Sequence, residues 1–261
     1  MTADKQGAPL EIRTDRFDAV IFDLDGVITD TASVHGAAWK QMFDQWLANR
    51  PHGAGEDHRP FSDDDYYGCV DGKPRYDGVR SFLASRGISL PRGRPSDPPT
   101  AETVCGLGNR KDEIFLALLR EGGVASFPSS IEMLRRLRAD GSRTAIISAS
   151  RNAVEVLEAA GITALFDAKV DGVDAEALGL EGKPAPAVFL EAAYRLGVEP
   201  ERAAVVEDAL AGVEAGHRGG FGLVIGIDRG GHAEALRERG ADVVVGDLGA
   251  VRVSSTKHDG R

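Results

Sequence analysis

At 261 residues the chain is long for one domain and short for two full-sized ones. With 42% hydrophobic and 28% charged residues it has the composition of an ordinary globular protein. Its net charge of −10 argues against a general nucleic-acid or membrane-surface binder, which needs basic patches, but leaves open a local basic pocket for a small anion.

No apolar run approaches the roughly 20 residues needed to span a bilayer. The start "MTADKQGAPLEI" lacks the basic and apolar stretches of a signal peptide, and residues 1–15 read as a flexible lead-in. Two cysteines, Cys69 and Cys105, exclude a disulfide framework and suit the reducing cytoplasm.

"DAVIFDLDG" is the first apolar strand, and residues 16–32 open an α/β core. Residues 33–122 differ in character. "HGAAWKQMFDQWLANR", "YDGVRSFLASRG" and "RKDEIFLALLREGG" have helical spacing of apolar positions and predict an all-helical insertion, the cap. Asp63, Asp64 and Asp65 within it read as a solvated helix start, and "PRGRPSDPPT" (91–100) as a loop.

The core resumes over 123–250. "RTAIISAS", "FDAKVDG", "RAAVVED", "FGLVIGID" and "ADVVVGD" are strands, alternating with the helices "NAVEVLEAAG", "PAPAVFLEAAYRLG", "ALAGVEAGHRGG" and "HAEALRERG". Continuous apolar strands alternating with helices predict a doubly wound, Rossmann-like parallel sheet covered on both faces. Such sheets bind ligands outside the carboxyl ends of their strands. Residues 251–261 read as a tail.

Those carboxyl ends carry the chemistry. Asp23 and Asp25 would face one way if the strand ran on to Asp25, since residues i and i+2 share a side. Adjacent carboxylates repel, and a divalent cation is the simplest compensation; Mg²⁺ suits few carboxylates plus waters and phosphate oxygens. The plainer alternative is a turn acid and a helix cap. "AVVED" ends in Glu207 and Asp208, "AIISAS" in Ser148, Ala149 and Ser150, and "EGKPAP" sets Lys183 on a stiff loop before proline. Singly these could be a salt-bridge partner, a core hydroxyl and a surface charge. Together they suit phosphoryl transfer through an acyl phosphate.

"DLDGVITDT", "SASRN", "GKPAP" and "VVEDALAG" resemble, in order and spacing, the motifs of the haloacid dehalogenase (HAD) superfamily, and most closely its β-phosphoglucomutase-like branch. The resemblance implies that Asp23 is the phosphorylated nucleophile and Asp25 the general acid/base. It implies that Asp23, the Asp25 carbonyl and Asp208, with Glu207 close by, hold Mg²⁺. Ser148, Ala149 and Lys183 would bind the transferring phosphoryl, and Ser150, Arg151 and Asn152 would grip substrate. His35, followed by Trp39, matches a residue that positions the acid/base.

"VDGKPRYDGV" is similar to the branch's specificity loop, with Gly72 and Lys73 in it and Arg75 clamping the distal phosphate. Asp71 replaces a usual lysine there, and Lys73 and Pro74 stand where small or apolar residues are common.

The activity so implied interconverts β-D-glucose 1-phosphate and glucose 6-phosphate through an aspartyl phosphate and a bisphosphate. The alternative is a Mg²⁺-dependent sugar-phosphate phosphatase, with water exclusion by the cap deciding between them. The expected partners are small sugar phosphates and bisphosphates bound by a cytoplasmic monomer, with no nucleic acid and no membrane.

Overall fold

A computed structural model describes residues 10–51, 53–70 and 73–254. The chain divides into two compact units: one takes the chain up to Thr31 and from Val124 onward, the other Ala32–Gly123.

The first unit is built on a six-stranded parallel sheet in the order β4-β3-β2-β5-β6-β7. The strands are β2 (Ala19–Asp23), β3 (Arg143–Ile147), β4 (Ala168–Val170), β5 (Ala203–Glu207), β6 (Leu223–Ile227) and β7 (Val243–Val245). Every residue of β2 and β5 is buried, as continuous apolar runs require in a sheet covered on both faces. Ala19, Ile21, Ala145, Ile147, Ala203 and Val205 pack with Phe189, Ala192, Ala193 and Leu196 of α8 (Ala187–Leu196) and Val213 of α9 (Leu210–Arg218). Burying a side chain the size of Phe189 contributes on the order of 2 kcal/mol.

Four elements of this unit depart from the sequence reading. The lead-in and the tail both carry strand: β1 (Glu11–Arg13) pairs in parallel with β8 (Arg252–Ser254). Ile12 is fully buried there, but three residues are too few to show a period of two. Residues 1–9 and 255–261, the remainder of the lead-in and tail, lie outside the described residues. Helix α5 (Pro128–Ala139) starts with proline in its first turn and buries Ile131, Met133, Leu134 and Leu137.

Helix α7 (Gly172–Leu178) is the fourth, where "FDAKVDG" suggested only a strand. It buries none of its residues, so it shows no apolar stripe; an Asp171–Asp174 capping box starts it instead. The remaining helices of the unit are α6 (Ala153–Ala159) and α10 (Ala233–Glu238).

The second unit is helical: α1 (Thr31–Asn49) runs into it, followed by α2 (Asp63–Asp65), α3 (Arg75–Ser85) and α4 (Val104–Gly122). Its core joins Trp39, Met42, Phe43 and Trp46 of α1 to Val79, Phe82 and Leu83 of α3 and Leu107 of α4. Buried Arg86 binds Asp57 at 2.8 Å and Asp65 at 2.6 Å, so the Asp63–Asp65 turn is structural. The 91–100 loop is strapped to α4: Asp97 accepts from Thr103 Oγ1 at 2.7 Å, and Asn109 Nδ2 donates to the Asp97 carbonyl at 2.8 Å. Cys69 and Cys105 are buried free thiols. Among the described residues no helix is long and apolar enough to cross a membrane.

Candidate active site

The chain runs from β2 outward to β3 and β4, then returns to place β5 on the other side of β2. This reversal is the switch point at which open α/β sheets bind ligands. The register aligns the strand ends: Asp23 lies opposite Ile147, and Phe22 opposite Val206. Ser148, next after β3, and Glu207, last in β5, therefore reach the same edge as Asp23.

Lys183 arrives there from the segment before α8. Its Nζ donates to Asp23 Oδ1 at 2.5 Å and also to Glu207 Oε1. Burial opposes its charge, but the two carboxylates prevail and hold the ammonium above the ordinary lysine range. Glu207 is fully buried, and its other oxygen accepts the Ala209 amide at 2.7 Å.

β2 ends at Asp23, so the strand does not continue regularly to Asp25. The Asp25 amide donates to Asp23 Oδ2 at 3.0 Å, and the chain turns. Asp25 then takes different partners, accepting from Thr31 Oγ1 and, at 3.2 Å, from Ser148 Oγ. Gly26 makes the turn possible: its φ is +80°, and a Cβ on it would collide with the Asp208 carboxylate.

The electrostatics follow from this crowding. Burial, above all, raises Asp23 well above the usual carboxylate range; Glu207, Asp25 and Asp208 add to it and Lys183 opposes. Asp25 is also raised by burial, against the hydrogen bonds from Thr31 and Ser148. Asp208 is pushed up to about 7, by burial first and Glu207 second. One carboxylate oxygen from each of Asp23, Glu207 and Asp208 lies within 4.8 Å of the other two. Buried, crowded, hard oxygen donors with incompletely compensated charge are a donor set that fits a divalent cation.

Around this centre Ser148 is buried and its Oγ accepts the Ser150 amide at 3.0 Å; Ser150 Oγ in turn accepts the Asn152 amide at 3.1 Å. Ala149 is exposed at the same edge, and Arg151 pairs with Glu176 on the surface.

In the helical unit, taken by itself, His35 stacks on Phe115 with ring centroids 4.2 Å apart. Its Nδ1 lies 2.6 Å from Nζ of buried Lys111. Burial, then the charges of Lys111 and Arg75, lower His35 well below the usual imidazole range. Arg75 pairs with Asp112 at 2.6 Å. Lys73 is occupied within the unit, donating to the Gly68 carbonyl at 3.1 Å and Ser81 Oγ at 2.9 Å. Gly72 and Asp71 lie outside the described residues.

Two side chains were missing from the sequence-level set. Thr31 gave only the weak signal of a hydroxyl shortly after the Asp-x-Asp turn. Lys111 gave a stronger one: it interrupts the buried stripe Leu107, Phe115, Leu119 on α4 at a spacing of four.

A doubly wound sheet with an Asp-x-Asp turn, a lysine and an acid pair at its switch point defines a known class. The chain belongs to the haloacid dehalogenase-like hydrolase family, whose sequence model matches residues 17–220. A β-phosphoglucomutase from Mycobacterium bovis is 50% identical over 246 residues, spanning 93% of this chain and 92% of that protein. The structure of a β-phosphoglucomutase from Clostridium difficile matches with a TM-score of 0.67 at 26% identity, over 89% of this chain and 92% of that one. A HAD family hydrolase from Deinococcus radiodurans R1, solved with bound phosphate and sodium, matches with a TM-score of 0.64 at 30% identity, over 88% and 91% of the two chains.

Proposed function

We propose that the protein is a phosphoglucomutase-type isomerase acting on β-D-glucose 1-phosphate and glucose 6-phosphate. The observation that carries this reading is the division of labour at the switch point. Asp23 is held by Lys183 and the Asp25 amide, whereas Asp25 is held by Thr31 and Ser148. Two neighbouring carboxylates in different environments suit two different tasks. The relative from Mycobacterium bovis, similar over nearly its whole length, supports the substrate.

In this reading an Asp23 oxygen forms a bond to phosphorus as the phosphorus–oxygen ester bond breaks, and Asp25 gives its proton to the departing sugar oxygen. Burial raises the Asp25 carboxyl from its ordinary value, the direction that favours a proton donor. The Lys183 ammonium, Ser148 Oγ and the Ala149 amide bind the transferring oxygens. The free hydroxyl of a sugar monophosphate then attacks the aspartyl phosphate while Asp25 takes its proton, which gives the bisphosphate and frees Asp23; the bisphosphate turns over and returns its other phosphoryl to Asp23, leaving the isomerised monophosphate. His35, Arg75 and the Ser150–Arg151–Asn152 run are assigned to substrate positioning.

Asp23, Asp208 and the Asp25 carbonyl, with Glu207 adjoining, would hold Mg²⁺. Bound there, the cation would screen the negative charge of the phosphoryl group from the attacking carboxylate.

The test is incubation with β-glucose 1-phosphate, Mg²⁺ and a trace of glucose 1,6-bisphosphate. Glucose 6-phosphate without free phosphate is expected. Steady release of phosphate would replace the isomerase by a sugar-phosphate phosphatase.

A further inference from the structure

Arg229 lies outside every motif considered so far, on the loop that follows β6. Its Nε donates to the carbonyl oxygen of Gly26 at 2.9 Å, so it holds the Gly26–Val27 peptide on the far side of the turn from Asp25. The same guanidinium stacks over the ring of Phe127, its carbon 3.6 Å from the centroid. Asp247, at 3.9 Å, balances its charge and also accepts from Ser129 Oγ at 2.7 Å.

These contacts join two segments that already run side by side. The Phe127 amide donates to the Ile28 carbonyl at 2.9 Å, the Asp30 amide donates to the Ala125 carbonyl at 2.9 Å, and Thr29 bridges Ser126. Arg229 grips one segment at Gly26 and covers the other at Phe127. Its own loop is fixed, because Asp228 Oδ1 accepts the His232 amide at 2.7 Å and the Asp228 amide donates to the Val245 carbonyl at 2.8 Å.

Gly26 needs such an anchor. With a positive φ and its Cα against the Asp208 carboxylate, small rotations there would redirect Asp25 away from Ser148. A lysine could supply charge and donors, but not a planar group that stacks and donates in plane at once.

We propose that Arg229 is a positioning residue for the acid/base: it clasps the Asp25–Gly26 turn to Phe127 and so sets the direction of the Asp25 carboxyl. This rests on the phosphoryl-transfer reading above. Asp25 must protonate a sugar oxygen as it leaves, whereas acetate leaves acetyl phosphate as an anion that needs no proton. Loss of the clasp therefore slows transfer from sugar phosphates and spares phosphorylation of Asp23 by acetyl phosphate.

The experiment compares wild type with Arg229→Ala, Arg229→Lys and Phe127→Leu, each first checked for native circular dichroism. Two rates are measured: isomerisation of β-glucose 1-phosphate, and single-turnover phosphorylation by acetyl phosphate followed by intact-protein mass spectrometry. Both Arg229 variants should lose kcat for the sugar on the order of tenfold to a hundredfold, with KM little changed. Phosphorylation by acetyl phosphate should stay within about threefold of wild type. Phe127→Leu, which keeps the arginine, should show a smaller loss of the same kind and serves if an Arg229 variant does not fold.

Full recovery of kcat in Arg229→Lys would overturn the proposal, since charge alone would then suffice. Equal losses on both donors, or no loss on either, would overturn it too. Wild type that neither isomerises the sugar nor becomes phosphorylated would instead sink the phosphoryl-transfer reading, whatever the variants do.

Discussion

Lys183 Nζ and Asp23 Oδ1 are 2.5 Å apart in a buried setting, and the same ammonium also neutralises fully buried Glu207. Removing the lysine leaves two buried carboxylates without their counter-charge. Lys183→Met should lower turnover on the order of a hundredfold or more. It should also make stability strongly pH-dependent. Asp23 already sits above its ordinary range, and a carboxyl whose folded pKa exceeds its unfolded value contributes stability at low pH that is lost as pH rises through the folded pKa. Thermal melts of the variant should therefore fall further below wild type at about pH 8 than at about pH 5. A uniform loss across that range would contradict this.

Asp208 yields a second pH effect. Burial and then Glu207 push its carboxyl up to about 7, so a divalent cation binding beside it must displace a proton. Magnesium affinity should rise as pH approaches 7 from below and level off beyond it. Calorimetry in buffers of different ionisation enthalpy should detect proton release on the acidic side of neutrality. Affinity that does not vary across neutrality would be the contrary result.

Thr31 begins α1 and donates its hydroxyl to Asp25. Thr31→Val keeps the shape and removes the donor, and should reduce kcat about tenfold. Thr31→Ser should recover most of the loss. Steady-state kinetics on the pair checks this, since a packing role would not be rescued by the serine, which lacks the methyl group.

Arg86 organises the helical unit apart from any chemistry, by gripping Asp57 and Asp65 from a buried position. Arg86→Ala should destabilise that unit on the order of 3 kcal/mol, because buried ion pairs are costly to break from one side. Asp57 is held below the usual carboxylate range, chiefly by its hydrogen bonds with Arg59 and with help from Arg86. A carboxyl with a depressed folded pKa contributes stability above its unfolded value and loses it as pH falls. Hydrogen-exchange protection factors over Ala32–Gly123, taken relative to the intrinsic exchange rate at each pH, should therefore fall as pH drops through the ordinary carboxylate range. Protection factors in that unit that stay constant from neutral to acid pH would oppose the assignment.

The strands of the sheet were legible because parallel strands buried on both faces must be continuously apolar, and their ends show as the first Asp, Ser or Glu after the run. Asp23, Ser148, Glu207 and Asp208 are thus assignable to one edge from the sequence alone. The separate partners of Asp25 were not legible. They depend on the strand stopping at Asp23 and on Gly26 meeting Asp208, a contact between residues far apart in sequence. Strands β1 and β8 were too short to show a period, and α7 buries none of its residues. Lys111 could have been read, since a lysine on an otherwise apolar helical stripe is rarely accidental; its pairing with His35 could not.

Transient phosphorylation of one particular aspartate is the claim on which the rest stands. Wild type mixed with glucose 1,6-bisphosphate and magnesium, quenched in acid and digested, should carry a phosphoryl group on the peptide containing Asp23, and Asp23→Asn should carry none and turn over no substrate. A phosphoryl group found elsewhere, or an Asp23→Asn enzyme that still isomerises the sugar phosphate, would contradict it.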